Sequence, residues 1–198
     1  LREGNSDRRA AVAVKKFAQN NPHKLRAFPE NPKSYVAHME GNGDFFGNEK
    51  SVTIDKDQKV TIAINGKELT TIDGVASEIL DGTYMSIAAL NTFYAKTIAD
   101  AKSNDVLWSL HLKATMMKIS DPIMFGHCVK VYYKDVFAKH GATFDKIGAN
   151  PNNGIGDIYD KIATLPDAER KEIEDDLMKT YETRPGLAMV NSNKGITN

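Results

Sequence analysis

Two groups of residues have the types and spacing to handle a small acidic metabolite. The first is Arg2, Arg8 and Arg9, which surround Asn5-Ser6 where a helix is expected to begin. A guanidinium grips a carboxylate in a bidentate fork, and a helix N-terminus adds free N–H donors and positive potential. That combination suits a polycarboxylate or a phosphate. It equally suits a solvated helix start carrying surface arginines. The second group is Lys113 with His111, which share one face at the end of a mostly apolar stretch, Val106 to Lys113. Open α/β folds bind ligands off the carboxyl ends of their strands, and a desolvated lysine there can exchange protons. The alternative is a lysine whose stem covers apolar surface while its ammonium reaches water.

Other chemistry-bearing residues point to structure. Asn152-Asn153-Gly154-Ile155-Gly156-Asp157 lacks the spacing and the lysine of a nucleotide phosphate loop and reads as a helix cap. His38 and Asp44 read as a polar pair at a hairpin. His127 and His140 lie on a helix surface without metal-ligand spacing. The acidic run Glu172 to Asp176 reads as a solvated helix face. Cys128, the single cysteine, falls in an apolar stripe and reads as core.

The elements that must position these residues follow from periodicity. Ala10 to Gln19 is predicted helical, with Ala10, Val14 and Phe17 on one face and Asn5, Ser6 or Asp7 as cap. Pro22, Pro29 and Pro32 mark a loop. Tyr35 to Met39 is predicted as a strand and Gly41 to Asp44 as a turn. Val52 and Ile54, then Val60, Ile62 and Ile64, alternate with polar residues, and Asn65-Gly66 fits a two-residue hairpin before Leu69 and Ile72. A β-meander is therefore expected over residues 34–74. From Ser86 the period becomes helical: Ile87, Leu90, Tyr94, Ile98 and Ala101 share one face, ending near Asn104. Val106 to Lys113 is predicted as a strand. Asp121-Pro122 opens a helix with Phe125, Val129, Tyr132 and Val136 as its stripe, closed by Gly141. Helices are expected over Ile155 to Thr164 and Pro166 to Tyr181, the second ending in cationic Lys179 and Arg184, and Leu187 to Val190 as a buried strand. The fold class is α/β in the mixed α+β sense: a helix-covered main sheet with a small antiparallel meander.

Composition narrows the function. The 198 residues are 41% hydrophobic and 26% charged, ordinary for a globular protein, and the formal net charge is zero. Bulk electrostatic capture of nucleic acid or an anionic membrane is not expected, so any anion site is local. A single cysteine cannot form an internal disulfide, and the cytoplasm is the expected compartment. No apolar run approaches membrane-spanning length. The opening Leu1-Arg2-Glu3-Gly4 and the final Gly195-Ile196-Thr197-Asn198 read as cuts inside a longer protein.

Four segments, in order, carry a resemblance to a known family. Arg2 to Arg9 resembles a distinctive stretch of monomeric NADP-dependent isocitrate dehydrogenases. So do Leu110-His111-Leu112-Lys113-Ala114-Thr115-Met116-Met117-Lys118 with Ser120-Asp121-Pro122-Ile123-Met124-Phe125-Gly126, the Asn152 to Asp157 segment, and Leu187-Ala188-Met189-Val190-Asn191-Ser192. The meander is the least family-like stretch. The resemblance implies a bacterial enzyme of the tricarboxylic acid cycle and glyoxylate bypass. It oxidatively decarboxylates isocitrate to 2-oxoglutarate, with NADP as hydride acceptor and Mg²⁺ or Mn²⁺ bound. It implies that Arg2 and Arg8 hold substrate carboxylates and that Lys113 is the acid–base group. The family's metal-binding aspartates, catalytic tyrosine and most NADP contacts have no match here, so no cofactor-binding or metal-binding residue is expected in this chain. Residues 1–198 are then an internal fragment of the large domain, inactive alone, whose partner is the remainder of the same polypeptide, with self-association of the fragment expected. The competing reading is a stand-alone module that binds polycarboxylates or other anions.

Overall fold

The computed structural model describes residues 11–22, 27–112 and 119–188. Helix α1 spans Val12–Asn20, and every residue in it is exposed. The short α2, Phe45–Asn48, begins where the Asp44 carboxylate accepts a 2.7 Å hydrogen bond from the Gly47 N–H. This is a side-chain N-cap, and it uses the carboxylate that the sequence paired with His38.

Four strands follow: β1 Lys50–Thr53, β2 Gln58–Ile64, β3 Lys67–Gly74 and β4 Ile79–Gly82. The antiparallel sheet expected here is present, but the connectivity is nested. β2 pairs with β3, and β1 pairs with β4, so the chain runs out along one edge and returns along the other as a two-stranded ribbon. Asn65 and Gly66 both have positive φ, 51° and 78°, the conformation a two-residue hairpin demands. The pairing Val60↔Ile72 puts aliphatic side chains opposite each other on one face. The other face carries the Thr61–Thr71 hydroxyl contact and the Lys59–Asp73 ion pair. Ile54 is buried beside Gly74, where a Cβ would collide with the Ile54 side chain. The root of the ribbon is tied to α2 through Asn48 Nδ2, which donates to the Tyr84 carbonyl at 3.2 Å.

The rest is a helical body. Helix α3, Ile87–Ser103, is capped by Ser86 and buries Leu90, Tyr94, Ile98 and Ala101 of the stripe its sequence specifies, with Thr97 added, while Ile87 at its start stays exposed. α4 spans Ser120–Tyr132 and α5 spans Lys134–Ile147. The sequence anticipates one helix closed by Gly141. The structure instead breaks at Tyr133 and ends at Gly148, in the left-handed region at φ 67°. The break has a packing cause. Tyr132 and Tyr133 are both buried, and adjacent helical residues point about 100° apart. Local unwinding lets Tyr132 donate to the Pro185 carbonyl at 2.6 Å while Tyr133 meets the Tyr181 hydroxyl at 2.6 Å. Gly141 has open space around it and sits inside α5.

A 3-10 turn at Pro151–Asn153 leads to α6, Ile155–Ile162, and then α7, Asp167–Thr183. α7 has acidic residues in its first turn, as its dipole favours, but no base in its last. Lys102 of α3 takes that role, donating to the Glu182 and Arg184 carbonyls, both at 3.1 Å. The core is shared by these helices: Tyr94, Tyr132, Phe144, Ile158, Ile162, Ile173 and Leu177 are essentially sealed from water.

The fold is therefore mixed α/β. Of the anticipated main sheet, the described residues retain one parallel bridge, between Trp108 and Leu187. Trp108 N–H donates to the Gly186 carbonyl at 2.8 Å, and Ala188 N–H donates to the Trp108 carbonyl at 3.0 Å. Tyr35 to Met39, expected as a strand, forms no backbone ladder.

Candidate active site

Arg2, Arg8 and Lys113 all lie outside the described residues, as does Arg9. What the structure does describe is the frame next to Lys113 in sequence. On the N-terminal side, the segment from Val106 to Leu112 crosses the helical body. The Trp108 ring packs edge-on against Tyr94, with centroids 5.9 Å apart, and its Nε1–H donates to Thr97 Oγ1 at 3.0 Å. Both Trp108 and Thr97 are buried, so this bond fixes the segment to α3 in a low-dielectric setting. His111 is exposed near the segment's end.

On the C-terminal side, α4 begins at Ser120. Asp121 in its first turn is buried, and its Oδ2 has no hydrogen-bond partner among the described residues. α4 is locked from behind by the 3-10 turn. A Cβ on Gly126 would fall 1.8 Å from Asn152 Oδ1 and 3.0 Å from the Asn152 backbone nitrogen, so only glycine lets helix and turn meet at this distance. The turn is internally satisfied: Asp157 accepts from the Asn150 N–H at 2.7 Å and from Asn153 Nδ2 at 3.3 Å. Asn152 to Asp157 thus forms the turn into α6 rather than a side-chain cap on it; the side-chain cap here is Asn150, which accepts from the Asn152 N–H at the 3-10 turn. The sequence motif around Asp121 reads as a helix start; the buried, unpartnered oxygen is visible only in three dimensions.

The remaining candidates resolve into structure. Burial pushes the Cys128 thiol up to about 12, which removes it as a nucleophile at neutral pH. Desolvation, with help from the Lys130 charge, lowers the pKa of His127. His140 and the acidic run of α7 do meet: His140 Nε2 lies 2.9 Å from Asp176 Oδ2. Together with Glu172, their ligand atoms lie within 4.8 Å of one another, close enough to surround a cation. The Lys139 ammonium already stands there, 2.7 Å from Glu172 Oε1 and 2.7 Å from Asp176 Oδ2. Lys179 adds a further contact to Asp176 at 3.1 Å. The hydrogen bonds from Lys139 and then His140 hold the Asp176 carboxyl well below the usual carboxylate range. This is an ion-pair network joining α5 to α7. A divalent cation does not fit it without displacing Lys139.

Neither a phosphate-cradling loop nor a free cluster of metal-binding side chains is found among the described residues. Their architecture is a mixed α/β scaffold that lies on either side of residues 113–118 in sequence. The model of the family "Monomeric isocitrate dehydrogenase" matches residues 1–198, and the chain belongs to that family. It is 56% identical over 204 residues to isocitrate dehydrogenase (NADP) 2 of Colwellia maris. It is 52% identical to isocitrate dehydrogenase (NADP) of Azotobacter vinelandii. It is 46% identical to isocitrate dehydrogenase (NADP) 2 of Mycobacterium tuberculosis. In each case all of this chain is covered, but it spans only 27% of the relative's own length.

Proposed function

We propose that this chain is part of an NADP-dependent isocitrate dehydrogenase, converting isocitrate and NADP⁺ to 2-oxoglutarate, CO₂ and NADPH. The observation that carries this is the family match over all 198 residues, together with relatives named for that activity. Mg²⁺ or Mn²⁺ supplies Lewis-acid chemistry at the substrate oxygens when bound. The resemblance matches no residue of this chain to the metal ligands or to most NADP contacts, and in this reading both sites belong to the rest of the longer protein. Residues 1–198 form part of its large domain, with a β subregion whose strands span residues 50–82 rather than 34–74. The compartment is the cytoplasm.

In this reading Arg2 and Arg8 hold substrate carboxylates through charge-assisted hydrogen bonds. Lys113 carries the proton traffic: the secondary hydroxyl loses its proton as the carbon loses hydride, and the carbon that loses CO₂ must gain a proton. The matching motifs at Arg2 to Arg9 and Leu110 to Lys118 support these roles.

The test is NADPH formation by the intact protein with isocitrate and Mn²⁺. Lys113→Met is expected to lower kcat by on the order of 100-fold or more with a smaller change in KM. Arg8→Met is expected to raise KM strongly, with a lesser effect on kcat. A Lys113→Met protein that changes only KM assigns Lys113 to binding. The 198-residue chain alone is expected to show no turnover. Isocitrate binding without turnover by the intact protein would favour an anion-binding module instead.

A further inference from the structure

Two stretches that read as strands in the sequence run through the structure with their backbones largely unpaired. The first is Lys33 to Glu40. Its Tyr35 hydroxyl donates to Asp100 Oδ2 at 2.7 Å, near the C-terminal end of α3, while Gly43 lies against Ala89 near the other end. The stretch of α3 between Ala89 and Asp100 is about 16 Å long at the helical rise per residue, so the segment runs open-chained along the helix. No backbone–backbone hydrogen bond involves residues 33–40 among the described residues. Its apolar side chains are not all used either: Val36 is 92% exposed.

The second stretch is Val106 to Leu112. Trp108 directs both its N–H and its carbonyl to Gly186 and Ala188. Successive residues of an extended chain alternate the direction of their backbone groups. Leu107 and Ser109 therefore aim away from that bridge, and neither has a backbone partner among the described residues. Leu107 is also exposed.

Both unladdered stretches contribute walls to one groove of about 370 Å³, through residues 33–37 and 106–111, and Phe93, Tyr94, Thr97 and Ala101 of α3 line it as well. A groove with an apolar helical floor and hydrogen-bonding walls has the chemistry of a vacant sheet position. We infer that this groove receives one extended strand with alternating apolar and polar residues, supplied by the part of the longer protein beyond this chain. The inference rests on the reading that residues 1–198 belong to such a protein, whose relatives have nearly three quarters of their length elsewhere. Sequence and structure are then reconciled: the main sheet that the sequence specifies forms when its inner strand arrives. That strand would also restrain the backbone leading to Lys113, which among the described residues is bridged only at Trp108.

The test uses the intact protein. Amide hydrogen exchange at Leu107 and Ser109, and at Val36 or Ala37, is expected to be slowed by at least about 100-fold relative to exposed loops. Val36→Pro and Ala37→Pro are made separately. Backbone direction alternates, so one of them removes a donor aimed into the groove. That one is expected to lower Tm by about 5 °C or more, while Val36→Ala leaves Tm within about 1 °C. Rapid exchange at all four amides with both proline variants unchanged overturns the inference. So does ready disulfide formation between Val36→Cys and Leu107→Cys. Walls separated by an inserted strand stand roughly 10 Å apart, too far for a disulfide. Protection that disappears on dilution assigns the groove to a second copy of the chain and likewise overturns it. NADPH formation is scored separately. Protected amides without turnover defeat the catalytic reading alone; turnover with unprotected amides defeats the strand alone.

Discussion

The helical body and the β-ribbon use apolar residues in opposite ways. In the body, the aliphatic and aromatic side chains of α3 to α7 converge on a common interior, and Ile158, Ile162, Ile173 and Leu177 are fully buried. In the ribbon, Val52, Ile62, Ile64, Leu69, Ile72 and Ile79 remain exposed, from 43% for Ile72 to 66% for Ile79, and only Ile54 is buried among the aliphatic residues of that arm. A two-stranded ribbon is marginal in water by itself. The body buries most of its helical apolar stripes internally; the ribbon leaves an apolar face uncovered by the described residues. Regular alternation within a strand thus specifies a face without specifying what meets it.

The sharpest test of that contrast is a cavity in the body. Leu177→Ala should cost about 2–5 kcal/mol in denaturant unfolding, because α5 and α6 cannot close on the lost volume. A loss under about 1 kcal/mol would mean the body is loosely packed. Next comes Gly126→Ala, which forces α4 off the 3-10 turn and should cost about 1–3 kcal/mol. Asn152→Ala in the same chain should recover only part of this, since the Asn152 backbone nitrogen still blocks the Cβ.

Smaller is the contribution of the Asp176 network. Its depressed carboxyl pKa means the contribution is present above the unfolded pKa of about 4 and is lost as pH falls below that value. Asp176→Asn should therefore lower stability at pH 7 and flatten the acid limb of a stability–pH curve, with the two proteins converging at low pH. An unchanged acid limb would remove the network from the α5–α7 interface. The smallest effect on folding is expected in the ribbon. Ile62→Asp should move the unfolding midpoint by no more than about 0.5 kcal/mol in the isolated chain, yet reduce its self-association in sedimentation. If Ile62→Asp unfolds the chain instead, the ribbon has an interior that its exposure does not show.

Much of this arrangement is legible in the residues. Leu90, Tyr94, Ile98 and Ala101 of the predicted stripe specify the buried face of α3, though Ile87 does not join it, and Asn65-Gly66 specifies the hairpin. What is not legible depends on distant partners. A glycine in an exposed helix position costs only about 1 kcal/mol, so Gly141 does not end α5. The break at Tyr133 is set by Tyr181 and Pro185, roughly fifty residues on. Val106 to Leu112 and Tyr35 to Met39 have strand patterns, but a ladder needs neighbours that no local pattern supplies. For the proposed site, the family-like motifs point to Arg2, Arg8 and Lys113, which lie outside the described residues, while the Asp121 oxygen without a partner among the described residues emerges only from burial.

The single tryptophan sits where the chain closes on itself. Trp108 and Leu187 are roughly eighty residues apart, and joining them costs about 4 kcal/mol of loop-closure entropy. Between them lie four α-helices whose backbone hydrogen bonds are local. Contacts of such long range are gained late, when preformed pieces have shortened the effective loop. The indole's own partners, Tyr94 and Thr97, are near in sequence, but its burial is complete only in the closed core, so indole emission reports a late step of assembly, while far-ultraviolet dichroism reports the first. In a refolding experiment the two signals should separate in time, with the dichroic change leading, and the lag would measure how long the body exists as helices before it exists as a fold.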